Sequence, residues 1–330
     1  MAATESALRR AEELAERVLP DRRAKKRMLV IVNPYATTVS DRLKNLVVYA
    51  LQGRYDVEAI DTQAQGHATE LCREAAEAGY DVVVAFGGDG TVNEAANGLA
   101  GTDTPVTCLP GGATNVFART LGIPGDVVDA TEHLLRIADD WRPRKVDVAT
   151  VNGRRFTFSC GMGIDASVVE RVDAHPRLKS RFGPYYFTWA ALSTFWRNYV
   201  VNPPRMVAEL PGGETLRGVT AIVQNGDPFT YFQNRPLHVA EGATLTSRDL
   251  AGVVLHRSTP TVMPTVLWRI FSGRARIVRH RAITGFSGLT ELVVRSEDGR
   301  ELPVEVDGDY IGTVPEATFG LEPGALTVVS

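Results

Sequence analysis

Cysteine is scarce in this 330-residue chain: Cys72, Cys108 and Cys160 stand far apart and are odd in number. That argues against a disulfide framework and leaves no metal-ligand spacing, so a reducing, cytoplasmic setting is expected. His67 follows Gln65-Gly66 and His175 precedes Pro176, neither with a Cys or an acid at ligand spacing, so no zinc site is read from them. Excess charge is also missing. The formal net charge is −3, far from the basic footprint that nucleic-acid binding needs, and no nucleic-acid partner is expected. No apolar run approaches the ~20 residues that cross a bilayer, and the N-terminal stretch lacks the apolar core of a signal peptide. Contact with a membrane would have to come from the side.

What is present suits a folded chain of two compact domains, with 44% hydrophobic and 23% charged residues over this length. Residues 1–26 read as a peripheral arm, with Leu8, Ala11, Leu14 and Val18 on one helical face before Pro20. From Leu29 to Val32 an apolar strand is expected, then a helix on Leu43, Leu46, Val47, Ala50 and Leu51 with Ser40 as its cap. The unit repeats: a helix over Ala68 to Ala78, the strand Val82 to Phe86, and a helix from Thr91 to Leu99. The strand Val106 to Leu109 then leads through Pro110-Gly111-Gly112 into Asn115 to Leu121. Strands alternating with helices predict a doubly wound parallel α/β sheet covered on both faces. After about residue 145 turn signals crowd in, at Asn152-Gly153, Pro211-Gly212-Gly213, Asp298-Gly299, Asp307-Gly308 and Pro323-Gly324. They predict a mostly antiparallel β half with one helix, over Pro184 to Asn198.

The segment Gly87-Gly88-Asp89-Gly90-Thr91-Val92-Asn93-Glu94 carries the chemistry. A buried strand runs into three glycines around one carboxylate and then into a helix. Backbone without side chains can approach a polyanion closely, and the helix N-terminus favours negative charge. Thr91 and Glu94 have the spacing of a capping box. A tight turn is the plainer reading, although it does not need three glycines around an acid. Neither the Rossmann nor the Walker spacing is present.

Gly87 to Thr91 resembles the nucleotide-binding motif shared by diacylglycerol kinases, sphingosine kinases, NAD kinases and, more loosely, phosphofructokinases. Leu109-Pro110-Gly111-Gly112-Ala113-Thr114-Asn115-Val116-Phe117-Ala118-Arg119 resembles the motif that separates the lipid kinases from the others. Val32-Asn33-Pro34, Gly161 to Ala166 and Val306-Asp307-Gly308-Asp309 agree in order, so the likeness to the diacylglycerol kinase catalytic-domain family runs over residues 28 to 330.

That resemblance implies an ATP-binding α/β domain over 27–147, joined by 314–330, and a C-terminal β-sandwich over 148–313, with the active site in the cleft between them. It implies an ATP-dependent lipid kinase, with diacylglycerol as the first candidate for the lipid alcohol. ATP would be bound by Asn33, Gly87, Gly88, Asp89, Gly90, Thr91, Gly112, Thr114 and Asn115. Asp307 would be the general base and Asp89 a further catalytic acid, with Mg2+ on Asp89 and Asp147; Asp307 as a turn acid and Asp147 as a linker residue stay open. The chain departs from the pattern at Tyr35-Ala36-Thr37-Thr38, where a glycine turn is usual and Thr37 or Thr38 would supply the hydroxyl. It departs again at Ala113 and Val116, and at Asp309, where glutamate is usual. The implied location is cytoplasmic and peripheral to a membrane, and a homodimer is left open. Arg269, Arg274, Arg276, Arg279, His280 and Arg281 would provide local positive charge for an anionic surface, or simply a solvated basic face. A sphingoid-base kinase, an NAD kinase and a non-catalytic nucleotide or lipid binder are the competing readings.

Overall fold

The computed structural model describes residues 25–173, 203–232, 234–272 and 275–330. Apart from Lys25 and Lys26, the arm read over 1–26 falls outside them, as do the helix expected over 184–198, His175 and Arg274.

The chain enters on β1 (Arg27–Val32), buried from Met28 onward. In α1 (Asp41–Gln52) the Ser40 hydroxyl accepts from the Leu43 amide at 3.3 Å, as its capping position requires. There follow β2 (Asp56–Asp61), α2 (His67–Glu77), β3 (Val82–Gly87), α3 (Asp89–Leu99), β4 (Val106–Pro110), the short α4 (Val116–Thr120) and α5 (Val127–Arg136). Strands β2, β1, β3 and β4 lie side by side in that order, all parallel. Every residue of β3 and β4 is buried, which is why their sequences are apolar runs rather than alternating ones. Edge strand β2 reads Asp-Val-Glu-Ala-Ile-Asp and is largely exposed, so it carries little strand signal.

The second half opens with β5 (Arg144–Val151) and β6 (Arg154–Phe156), joined through Asn152 and Gly153 at φ 48° and 80°, the backbone a tight hairpin needs. Then come β7 (Ser159–Met162), α6 (Ile164–Asp173), β8 (Met206–Glu209), β9 (Thr215–Gly218) and β10 (Thr220–Gln224). The hairpin β11 (Thr230–Phe232) and β12 (Arg235–Leu237) precedes β13 (Leu250–Leu255) and α7 (Met263–Ser272). Strands β14 (Ile283–Leu289), β15 (Glu291–Ser296), β16 (Leu302–Val306), β17 (Asp309–Val314) and β18 (Glu316–Val328) end the chain. Helices α6 and α7 correct the expectation of a single helix in this half.

Strands β14, β13, β10, β7, β16 and β17 form one antiparallel sheet. It packs against strands of the other sheet through a shared apolar core, with Cys160, Val223 and Val304 from one side meeting Phe156, Val294 and Phe319 from the other. The Phe156 and Phe319 rings meet edge to face at 6.4 Å. The architecture is thus an N-terminal parallel α/β layer followed by antiparallel β-sheets.

One strand belongs to both halves. Residues Glu316 to Gly320 of β18 pair with β15, whereas Val328 lies parallel to Val106 of β4. Pro323-Gly324, read from the sequence as a turn, lies inside β18, where the register with β5 slips between Glu322 and Leu326. Proline has no N–H for the ladder, so the irregularity falls there.

Candidate active site

Three loops meet at the C-terminal ends of β1, β3 and β4, the edge at which open α/β sheets bind ligands. After β1, Asn33 donates its amide to Phe86 O at 2.9 Å and its side-chain Nδ2 to Thr91 Oγ1 at 3.1 Å. Gly87-Gly88 after β3 lies backbone to backbone with Gly111-Gly112 after β4. The Gly111 amide donates to Gly87 O at 2.8 Å, and a Cβ on Gly112 would stand 2.8 Å from Gly88 Cα. The second loop has no room for a side chain at this contact, and on the first a Cβ at Gly87 would lie 2.3 Å from Thr91 Oγ1. Asn115, at φ 49°, folds its amide back on Gly112, accepting from its N–H at 2.9 Å and donating to its carbonyl at 2.8 Å. Thr38 donates its amide and hydroxyl to Gly111 O at 3.0 and 3.1 Å, so it braces the second loop.

Helix α3 begins at Asp89, earlier than Thr91, with Gly88 as N-cap. Its first intrahelical bond runs from the Val92 amide to Gly88 O at 3.2 Å. The amides of Asp89, Gly90 and Thr91 therefore have no helical acceptor and lie at the positive end of the helix. The expected Thr91–Glu94 capping box is not formed, because Thr91 is already the third helical residue. Glu94 serves α2 instead, accepting from the Gly66 and Ala68 amides at 2.8 and 3.1 Å.

Asp89 is buried between the two glycine loops. One carboxylate oxygen accepts from Thr114 Oγ1 at 3.1 Å and the other from the Phe117 amide at 3.2 Å. Burial pushes its pKa up to about 6, and the charge of Asp307 adds to the rise, while the Val116 and Phe117 amides and the Thr114 hydroxyl oppose it. The folded state then keeps the proton to about pH 6, whereas an unfolded aspartate releases it near its ordinary value of 3.8. Between these values the folded chain binds more protons, so stability falls as pH rises through the window. Denaturant titrations from pH 4 to pH 7 with a chelator present are expected to show wild type losing about 2 kcal/mol relative to Asp89→Asn. Parallel profiles for the two proteins would contradict this.

Asp307 occupies a hairpin turn at φ 50°, with Gly308 at 86°, between β16 and β17. Its side chain is enclosed. Oδ2 accepts from Asn93 Nδ2 at 2.7 Å, the Thr157 amide at 2.7 Å and the Thr157 hydroxyl at 2.9 Å; Oδ1 accepts from the Phe158 and Ser159 amides at 2.9 and 3.2 Å. Burial pushes its pKa up, and these donors pull the other way. With every lone-pair direction taken, Asp307 has none to offer a substrate hydroxyl, which tells against the general-base role expected from the sequence. Through Asn93 it ties α3 to the β half.

Asp147 is likewise engaged. Its Oδ1 accepts from the Gly324 amide, freed at the irregularity in β18, and its Oδ2 from the Arg248 amide, both at 2.8 Å. These bonds tie β5 to the irregularity in β18 and to the backbone at Arg248. Among the described residues no group of three His, Cys, Asp or Glu is arranged to hold a metal ion.

The acid that reaches the first glycine loop is Asp309. A Cβ on Gly90 would lie 2.2 Å from Asp309 Oδ2, so a side chain at 90 would push this carboxylate aside. The sequence marks Asp309 only as a shortened motif residue; its place opposite Gly90 depends on the hairpin docking across the cleft. Three further residues escape sequence reading. Asn93 and Asn97, one helical turn apart, hold Arg155 O at 3.0 and 3.1 Å, and buried Asn225 donates to the carbonyls of Asp147 and Thr157 at 2.9 Å each. The i, i+4 asparagine pair after the glycines is the one signal that could have flagged the first two.

Residues 27–151 match the diacylglycerol kinase catalytic domain. This is the family that the motifs resemble. A diacylglycerol kinase of Bacillus subtilis is 37% identical over 147 residues, 42% of this chain and 46% of that protein. Another, from Staphylococcus epidermidis, is 31% identical over 169 residues, 49% of this chain and 51% of that protein. The chain spans about half the length of these curated relatives. A crystal structure described as a diacylglycerol kinase from Bacillus anthracis matches over 94% of this chain and 97% of its own, at 26% identity and a TM-score of 0.73. The catalytic-domain match covers β1 to β5, and the structural match extends the likeness through the antiparallel sheets.

Proposed function

We propose that the chain is an ATP-dependent lipid kinase that transfers the γ-phosphate of ATP to the hydroxyl of a lipid alcohol, diacylglycerol in the first instance. One observation supports it above the rest: a glycine loop at a helix N-terminus, bare of side chains, with the Asp309 carboxylate brought against it from the other half of the chain. The free amides of α3 suit the phosphates, and Asn33 and Thr91 frame the loop beside them.

In this reading Asp309 accepts the proton of the attacking hydroxyl. Asp307 is the positioning residue that sets the β16–β17 turn two residues earlier. Asp89 is the residue that would hold Mg2+, because its carboxyl lies buried between the two glycine loops with no basic side chain bonded to it among the described residues. One carboxylate together with the nucleotide phosphates is an ordinary setting for that ion. When bound, magnesium supplies charge neutralisation at the β- and γ-phosphates.

Radiolabelled ATP and magnesium, offered with diacylglycerol, a sphingoid base, other lipid alcohols and NAD in turn, test the reading. Labelled phosphatidic acid is the expected product. Label on NAD alone would move the chain to the NAD kinases, and ATP binding without transfer to any acceptor would make it a non-catalytic binder.

A further inference from the structure

We propose that α7 and the β11–β12 hairpin form a platform that docks on the surface of an anionic phospholipid bilayer; this deepens the lipid-kinase reading and rests on it for its purpose, though not for its test. Helix α7 is apolar on both sides. Its inner face packs Val266 into a core with Val253, Ile277 and Ile283, and Met263 and Ile270 lie against that core. Its outer face should then be polar, yet it carries Leu267, Trp268 and Phe271, exposed by 46%, 61% and 48%. Phe232 at the end of β11, 48% exposed, meets Phe271 edge to face at 5.4 Å, so hairpin and helix form one apolar surface.

Positive charge lies alongside. Arg235 pairs in register with Phe232, and Arg279 and Arg281 follow α7 through the 3-10 turn Ile277–Arg279 that packs on the helix. All three are exposed and make no ion pair among the described residues. Arg276 is shared with Glu241 at 3.0 Å, and Asp227 is taken by His238 at 2.8 Å. Exposed aromatics beside unpaired arginines suit a bilayer interface, where rings sit at headgroup depth and guanidinium groups meet lipid phosphate. A second copy of this chain would bring arginines against arginines, so the charge favours the bilayer.

The platform is coupled to the active site. Tyr231, next to Phe232, has the Arg119 guanidinium over its ring at 4.7 Å, and Arg119 belongs to α4, whose N-terminal amides Asp89 accepts. A membrane seated on Trp268 and Phe271 would therefore lie within one hairpin of the glycine loops.

Flotation of the full chain with vesicles of phosphatidylcholine alone, and of phosphatidylcholine mixed with phosphatidylglycerol, tests this. Wild type is expected to float with the mixed vesicles only. Trp268→Glu should abolish flotation, Trp268→Phe should keep it, and Arg279→Ser with Arg281→Ser should weaken it roughly thirtyfold at low salt. Each variant should keep the wild-type Tm and the wild-type rate on a short-chain diacylglycerol dispersed as monomers. Flotation unaltered by Trp268→Glu and by the arginine pair would overturn the proposal. So would a dimer that Trp268→Glu splits while vesicle binding persists. If wild type phosphorylates no diacylglycerol in either form, the kinase reading fails and flotation still decides the platform.

Discussion

Asp309→Asn is expected to lower phosphoryl transfer roughly 10²- to 10⁴-fold, the range associated with losing a positioned general base, while ATP affinity and Tm stay near wild type. The substitution keeps the size of the side chain and removes its charge and its ability to take a proton. Asp309→Glu, one methylene longer, should recover much of the rate, because the site lies at a hairpin facing a loop with no side chain at Gly90. Gly90→Ala provides a steric counterpart. Its methyl would need the space of Asp309 Oδ2, 2.2 Å away, so the carboxylate would have to leave and the rate should fall for that reason. Single-turnover transfer and equilibrium nucleotide binding, measured on the same preparations, separate the outcomes. Full activity in Asp309→Asn would remove the residue from the mechanism.

Asp307→Asn should behave in the opposite way, with stability as the main casualty. Asparagine tolerates the positive φ of this turn, so the backbone is spared. The five donors around the carboxylate are not. An amide can turn its oxygen toward only one of the two groups of donors, and its NH2 must then face at least two N–H or O–H groups in a buried site. At about 1–3 kcal/mol for each donor left unsatisfied, the loss should be at least ~2 kcal/mol. Chemical denaturation would show it directly. A variant with unchanged stability and no phosphoryl transfer would restore Asp307 as the base.

The pair of acids shows where reading the sequence runs out. Asp307 and Asp309 lie two residues apart in one motif, and each has the chemistry of a general base. That the Asp307 carboxylate is enclosed depends on Asn93, some two hundred positions earlier, and on the amides of Thr157 to Ser159. No local pattern records that. Glu94 is a similar case: its spacing from Thr91 fits a cap on its own helix, but tertiary packing hands its carboxylate to the start of α2.

By itself the sequence determined the alternation of apolar runs and helical stripes that makes a parallel sheet, because β3 and β4 are buried throughout and are built almost wholly from apolar residues. It also determined the glycine loops, since backbone that must lie against backbone excludes every side chain, and such a requirement is visible wherever it falls in the chain. The tertiary structure alone decided which acid faces the loop, that Pro323-Gly324 interrupts a strand rather than ending one, and that Asp147 repairs the interruption. It also decided that Trp268 and Phe271 lie outward while Val266 lies inward, as both faces of α7 are apolar and periodicity cannot tell them apart. These are properties of long-range contacts, set when the two halves close on each other, and a local reading contains no term for them.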